Sequence, residues 1–389
     1  MNLDRAYLDH NATSPVRPEV SAAVAAALAL PGNPSSVHAE GRAARAALEE
    51  ARVRLGRLVG AAPDRIVFTS GGTEAANAAL SGALLRRGLS APTRLLAGAT
   101  EHPCVSAGHR FPADATEILP VLSSGLLDLA ALEGRLDALR DEVVLISVHA
   151  ANNETGVIQP LAAIVALARA HGRALVHSDA VQAVGKIPLD FTGLGLDALT
   201  LSGHKFSAPK GVGALVLSAD ARLDAAFVRG GGQEARLRCG TENLAGIVGM
   251  GRAAEIAHRA LDAEACRLAA LRDAIERGVL ARAPNAVIFG CGAPRLPNTL
   301  SFAVPGLDAP TALIALDLAG IAVSSGSACS SGKVARSVVL AAMGVNPALS
   351  AGALRVSLGW NSRASDVARA LDAFERVVAT LYGKQGKAA

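Results

Sequence analysis

Six short runs of this chain are apolar on successive residues rather than on every second one: "RIVFTS" (65–70), "TRLLAG" (93–98), "EVVLISVHA" (142–150), "ALVHSD" (174–179), "ALTLS" (198–202) and "GVGALVLS" (211–218). A strand with one wet face alternates polar and apolar side chains, whereas a strand covered on both faces does not need to. Between the runs lie Ala- and Leu-rich stretches of helical length, from Thr73 through Arg87 and over "LAAIVALARAHG" (161–172). Strand and helix in alternation predict an α/β fold, a mainly parallel sheet sandwiched by helices. From about Leu261 the rhythm changes. Two long helical stretches over roughly 245–281 lead into strands in "NTLSFAV" and "LRVSLG", and a helix follows Ser365. This predicts a second, smaller α+β unit.

Composition bounds the core and the partners. Hydrophobic residues make up 51% of the 389 and aromatics only 3%, so the core must be built from Ala, Val and Leu. The net charge of +4 comes from 38 Lys+Arg against 34 Asp+Glu. With signs interleaved and aromatics sparse, nothing marks a nucleic-acid face. No segment approaches the ~20 uninterrupted apolar residues of a membrane span, and "MNLDRAYLDH" lacks the basic and apolar regions of a signal peptide. The five cysteines, at 104, 239, 266, 291 and 329, are odd in number, scattered and never spaced CxxC. That usage fits a reducing cytoplasm and neither a disulfide framework nor a zinc knuckle.

Five places carry chemistry. In "SGHKFSAPKG" (202–211), Lys205 follows a buried strand and a glycine, where α/β folds place ligands. A lysine in a desolvated pocket can form a Schiff base, although a solvated loop lysine is the commoner case. In "HSDAVQ" (177–182), Asp179 ends a strand that is apolar up to Val176, so its carboxylate points into the same crevice; alone it reads equally as a helix cap. "FTSGGTEAAN" (68–77) is strand, Gly-Gly, Thr, helix: a cradle of free N–H groups and the Thr73 hydroxyl for a phosphate, or simply a capped turn. It is neither a Walker loop nor a GxGxxG, which weakens nucleoside triphosphate and dinucleotide readings. "ATEHPCV", "ANNETG" and "GTEN" lie past strands or at turns, with His102 able to stack on or protonate a ligand. Lastly, "SSGSACSSG" (324–332) sets Cys329 among serines and glycines, poor company for a buried thiol. A lysine nucleophile, a strand-end aspartate and a phosphate cradle at one sheet edge suit pyridoxal 5′-phosphate, which has an aldehyde, a pyridinium nitrogen and a phosphate.

These motifs, with "YLDHNATSPV", "GNPSSVHAEGRAAR", "ANNETGVIQP", "HSDAVQAVGKIPLD", "GGGQEARLRCGTEN" and "LPNT", resemble in order the NifS/IscS-type cysteine desulfurases, in the class-V aminotransferase branch of the fold-type I pyridoxal-phosphate enzymes. The likeness runs from about residue 6 to about 380. It implies a large cofactor-binding domain over 16–260, a small C-terminal domain over 261–389 carrying the cysteine loop, and an N-terminal segment, 1–15, that joins the small domain. The implied reaction converts L-cysteine to L-alanine and keeps the sulfur as a persulfide on Cys329, brought in and out by a mobile Gly/Ser arm. Lys205 is then the lysine joined to the cofactor aldehyde and the base at the substrate Cα. Asp179 pairs with the pyridine nitrogen, His102 lies over the ring and Gln182 touches its hydroxyl. Gly72, Thr73, Ser202 and His204 hold the phosphate. Thr241 reaches the phosphate of the neighbouring subunit's cofactor, which implies a homodimer with shared active sites. Asn153, also at the cofactor, and Arg355 grip the substrate carboxylate, for which a guanidinium is the bidentate partner.

The resemblance further implies delivery of sulfur to an iron–sulfur scaffold or other acceptor protein, with nitrogenase maturation as one destination. Cys329 is also read as a transient iron–sulfur ligand, and no other metal ligand is assigned. A selenocysteine lyase or an aminotransferase is the alternative. The chain departs from many relatives in having Ala335-Arg336 where they have Glu-Pro, and Ser14 where threonine is common.

Overall fold

The computed structural model describes residues 5–325 and 336–385. All six apolar runs are strands of one seven-stranded sheet, in the order Ile66–Thr69, Gly213–Leu217, Ala198–Ser202, Ala174–Asp179, Val144–Ser147, Arg94–Gly98, Thr116–Leu119. Gly213–Leu217 runs antiparallel to both neighbours, and the remaining neighbours are parallel. Every residue of the five strands from Ile66–Thr69 to Val144–Ser147 in that order is buried, which is the physical content of their unbroken apolar pattern. Gly213 is dictated by packing: a Cβ there would stand 2.6 Å from the Gly71 carbonyl carbon, so the loop at Gly71-Gly72 can lie against the sheet only at a glycine.

Three elements differ from expectation. The edge strand Thr116–Leu119 carries no long apolar run; half-covered, it leaves Ile118 58% exposed. The helix expected from Thr73 through Arg87 spans only Gly72–Ala79. A turn at Gly82, with φ +82°, then sends Leu84–Arg86 into an antiparallel pair with Ala221–Leu223. Conversely, the two helical stretches over 245–281 are one 39-residue helix, Leu244–Arg282, since no proline interrupts them.

That long helix touches two apolar clusters. Ile247, Met250, Ala253 and Ala254 pack with the seven-stranded sheet. Leu268, Ile275 and Val279 pack with the sheet of Val287–Ile288, Thr299–Ala303, Leu354–Ser357 and Ser324–Ser325 and with the C-terminal helix. Ala6 and Leu8 belong to this second cluster, and Ala6–Tyr7 pairs with Ile321–Ala322. We propose the division 16–260 and 261–389, with 1–15 on the smaller unit; these clusters support it, the boundary falling inside a continuous helix. Among the described residues no helix is long and apolar enough to cross a membrane.

Candidate active site

Where Ala198–Ser202, Ala174–Asp179 and Val144–Ser147 end, their carboxyl termini and the start of the Gly72–Ala79 helix border one cavity. Such crevices are where open α/β sheets take ligands. Lys205 sits in the turn Gly203–Phe206 immediately after its strand. Its Nζ donates to the backbone carbonyls of Asn11 (2.7 Å) and Ala12 (2.9 Å). Ser202 and His204 line the same wall. Burial, with Lys205, Lys210 and Lys186 nearby, pulls the His204 imidazole down to about 4, so it is neutral at physiological pH. Its Nδ1 pairs with Thr13 Oγ1 at 3.2 Å.

Asp179 is the last residue of its strand. Its Oδ1 accepts the Val181 N–H at 2.9 Å and its Oδ2 the Cys104 thiol at 3.5 Å. Burial raises its pKa; the Val181 N–H opposes this, Glu101 adds to it, and His102 and His149 oppose it. Burial, then Asp179, pushes the Cys104 thiol up, so it stays a donor. His102 caps Pro103–Ser106, its Nδ1 accepting the Cys104 N–H at 3.1 Å, and burial lowers its pKa. Beneath these groups, Ser147 Oγ pairs with His177 Nδ1 (2.9 Å) and His177 Nε2 with Thr200 Oγ1 (3.1 Å), a closed polar layer that holds the strand ends in register.

Gly72 and Thr73, in the first turn of their helix, also line the cavity. A Cβ on Gly72 would come within 2.8 Å of Val181 Cγ2, so the helix start can pack this closely against the residues after Asp179 only at a glycine. Gln182 lines the cavity with its amide already oriented: Oε1 accepts from Lys186 Nζ (2.6 Å) and Nε2 donates to the Asn11 carbonyl (3.0 Å). Asn153 also lines it, its carbonyl accepting from Asn11 Nδ2 (3.2 Å) and Arg355 Nη1 (3.0 Å).

Nine of the expected residues therefore meet in one cavity: Gly72, Thr73, His102, Asn153, Asp179, Gln182, Ser202, His204 and Lys205. Arg355 is 1% exposed and stands behind Asn153, outside the lining, with Nη2 on Asp9 Oδ1 at 2.7 Å. Thr241 is exposed and lies away from the cavity. Cys329 and Ala335 lie outside the described residues, and Arg336 is exposed.

Sequence reasoning missed Asn11, Cys104, His149 and Lys186. Asn11 is the hub: besides the contacts above, its Oδ1 accepts from Lys186 Nζ (3.0 Å) and Asn298 Nδ2 (3.1 Å) and its Nδ2 reaches Thr299 Oγ1 (2.9 Å). Lys186 is buried, and burial, reinforced by Lys205 and Arg355, lowers its pKa well below that of a free lysine. Its spacing four residues after Gln182 was the available signal.

The set fits pyridoxal 5′-phosphate. It offers an amine at the cavity wall, an N–H and hydroxyl cradle for a phosphate, and a buried carboxylate that no salt bridge neutralises among the described residues. Such a carboxylate calls for a cationic partner. No grouping of three or more His, Cys, Asp or Glu suited to a metal occurs among the described residues.

Glu154, beside this site, gives a separate test. Its Oε2 accepts from Ser337 Oγ (2.6 Å), and burial pushes its carboxyl up to about 7 from 4.5, against Ser337 and Arg355. The native state thus holds this proton more tightly than the unfolded chain does. Its contribution to stability is full below pH 4.5 and is lost as pH rises through about 7. Glu154→Gln should remove that slope, gaining on the wild type by at most about 3 kcal/mol across the window. Denaturant titrations at a series of pH values check this; equal slopes for the two proteins contradict it.

The family model for aminotransferase class-V matches residues 6–370. An IscS-like cysteine desulfurase of Mycobacterium tuberculosis is 41% identical over 381 residues, 96% of either chain. The cysteine desulfurase IscS of Dictyoglomus turgidum is 40% identical, over 96% of this chain and 95% of that one. A NifS-like protein of Rickettsia africae superposes with TM-score 0.86 at 33% identity, covering 96% of this chain and 99% of that one. The sheet described above is accordingly the fold-type I arrangement of pyridoxal-phosphate enzymes. The chain belongs to the class-V aminotransferase family, among its cysteine desulfurases.

Proposed function

We propose that this chain is a cysteine desulfurase that moves the sulfur of L-cysteine onto Cys329, leaves L-alanine and supplies iron–sulfur cluster assembly. The observation that carries the reading is the convergence of Lys205, Asp179 and the Gly72-Thr73 cradle on one cavity, in a chain with desulfurase relatives along its whole length. The sum balances without an external oxidant: a Cys329 thiol and a cysteine become a Cys329 persulfide and an alanine.

Pyridoxal 5′-phosphate, when bound, supplies an electron sink for the substrate Cα. Lys205 Nζ holds the aldehyde end and afterwards takes the Cα proton. The Asp179 carboxylate holds the ring nitrogen, and neutral His102 covers the ring. Thr73, Ser202, His204 and the Gly72 backbone hold the phosphate, and Gln182 turns an N–H toward the ring hydroxyl. Arg355 and Asn153 receive the substrate carboxylate, which displaces Asp9 from the guanidinium; the pairing of Nη2 with Asp9 Oδ1 supports this, because a carboxylate oxygen already occupies that donor.

Thr241, exposed in the single chain, serves a homodimer in which it completes the partner's phosphate site. The acceptor is an iron–sulfur scaffold or another sulfur-carrying protein, nitrogenase maturation is one destination, and the setting is the cytoplasm. Cys329→Ala tests the assignment. Sulfide and alanine release from cysteine should fall at least about a hundredfold, while the cofactor's visible absorption stays at the wild-type level. Normal desulfuration by this variant would end the reading that the sulfur passes to Cys329.

A further inference from the structure

Two acids, not one, stand at the Asp179 end of the cavity. Glu101 is buried, its side chain fully so, and its Oε1 accepts both the His149 backbone N–H (2.6 Å) and His149 Nδ1 (2.8 Å). The His149 side chain is 6% exposed and its ring lines the cavity. His149 Nε2 and Glu101 Oε2 are buried and have no hydrogen-bond partner among the described residues.

The strand ladder places this pair. Ser147 is registered with His177, and beyond the strand proper the Val148 N–H donates to the His177 carbonyl (3.2 Å) and the Ala150 N–H to the Asp179 carbonyl (2.8 Å). In a parallel ladder those bonds put His149 level with Asp179. The side chains of register partners share a face, as the Ser147–His177 hydrogen bond two residues earlier demonstrates. The imidazole therefore shares a sheet face with the Asp179 carboxylate, and Glu101, hydrogen-bonded to it, bears on the same acid. The other polar groups around Asp179 are His102, whose Nδ1 already accepts the Cys104 N–H, and the Cys104 thiol. Lys205 bears on His102 in the same cavity.

Two adjacent buried carboxylates cannot both stay ionised without a cation, because each disfavours the charge of the other. The ring nitrogen of the cofactor supplies one positive charge for two negative ones. We infer that His149 is a positioning residue that supplies the second: as an imidazolium held by Glu101, it neutralises that acid and leaves Asp179 ionised for the cofactor ring. The inference rests on the proposed pairing of Asp179 with the ring nitrogen. It deepens that reading by giving the acid a charge-balancing neighbour.

The test is the dissociation constant for pyridoxal 5′-phosphate, read by absorption as the full-length protein is titrated with it. His149→Met should raise that constant roughly tenfold or more, the size of a one-unit change in the acid's pKa. Glu101→Gln, which removes the competing charge, should stay within about threefold of the wild type, and the double variant should recover to that level. His149→Gln retains a donor for Glu101 but carries no charge, so it should bind as poorly as His149→Met, and it stands in if the methionine variant fails to fold. A merely structural pair gives the opposite pattern: Glu101→Gln as weak as His149→Met, no recovery in the double variant, and rescue by His149→Gln. Any of those results overturns the inference. Asp179→Asn separates the two failures. If it weakens binding while His149→Met does not, only the inference falls; if it binds normally, the pairing of Asp179 and the inference fall together.

Discussion

Lys205→Ala is expected to abolish alanine formation from cysteine, by at least about three orders of magnitude, and to leave the protein without the visible absorption of a lysine-bound cofactor. The size of the effect follows from the absence of a substitute. Lys210 also bears on His204 but is exposed and lines no part of the cavity; Lys186 is buried, and its Nζ is held by Asn11 Oδ1 at 3.0 Å and Gln182 Oε1 at 2.6 Å. It belongs to the wall behind the cavity and is not among the lining residues. Lys205 in turn reaches the cavity from a turn whose next residue, Ser207, takes φ +70°, fixing where the chain doubles back. The variant gives up the hydrogen bonds to the Asn11 and Ala12 carbonyls in a short turn outside the sheet, so it should still fold. Steady-state alanine release and an absorption spectrum after incubation with pyridoxal 5′-phosphate decide the matter. Activity within tenfold of the wild type would remove Lys205 from the chemistry.

Glu234→Ala is expected to destabilise the fold by about 3 kcal/mol, the low end of the range for breaking a buried ion pair. Glu234, Ala235 and Arg236 all have positive φ, at 44°, 55° and 65°, a run that L-residues adopt only when the surroundings hold them there. The holding contacts are made by Glu234. Its carboxylate accepts from Arg52 Nη2 (2.7 Å) and Nη1 (2.9 Å) and from the Phe68 N–H (2.7 Å). Arg52, from the helix Ala39–Val59, also donates to the Ile66 carbonyl (2.6 Å) and stacks over Phe68 at 4.6 Å, so one guanidinium joins a helix, a strand and the strained turn. Removing Glu234 leaves Arg52 buried, with Glu49 Oε2 at 3.0 Å as its remaining carboxylate; Glu49 is 42% exposed, which keeps the cost from being larger. Urea unfolding should show a lower midpoint with an unchanged slope. Arg52→Met combined with Glu234→Gln should cost less than Glu234→Ala alone, because no buried charge is then left unpaired. Equal or greater loss in the double variant would contradict this account.

Local pattern determined a good deal about this protein. Strands such as Ala198–Ser202 and Gly213–Leu217 were legible because burial on both faces removes the need for polar residues within them. Lys205, Asp179 and Thr73 were legible as a set: each alone reads as well as a loop lysine, a cap or a capped turn, but an amine, an acid and a phosphate cradle at one sheet edge match one cofactor. Where burial is partial the signal fades, as at the edge strand Thr116–Leu119, and chain punctuation misleads where a helix such as Gly72–Ala79 stops short of the helical pattern that follows it.

Tertiary structure alone decided which distant groups stand together. Asn11 binds Lys186, Gln182, Asn298 and Thr299 across 171 to 288 residues of chain, and no local periodicity encodes such a contact. The same holds for the placing of Glu101 and His149 beside Asp179, which the register of neighbouring strands sets. Propensity and hydropathy act over a few residues, so they specify the elements and the residues at their ends. Hydrogen bonding and charge balance act across the space between elements, and that space exists only once the sheet has formed.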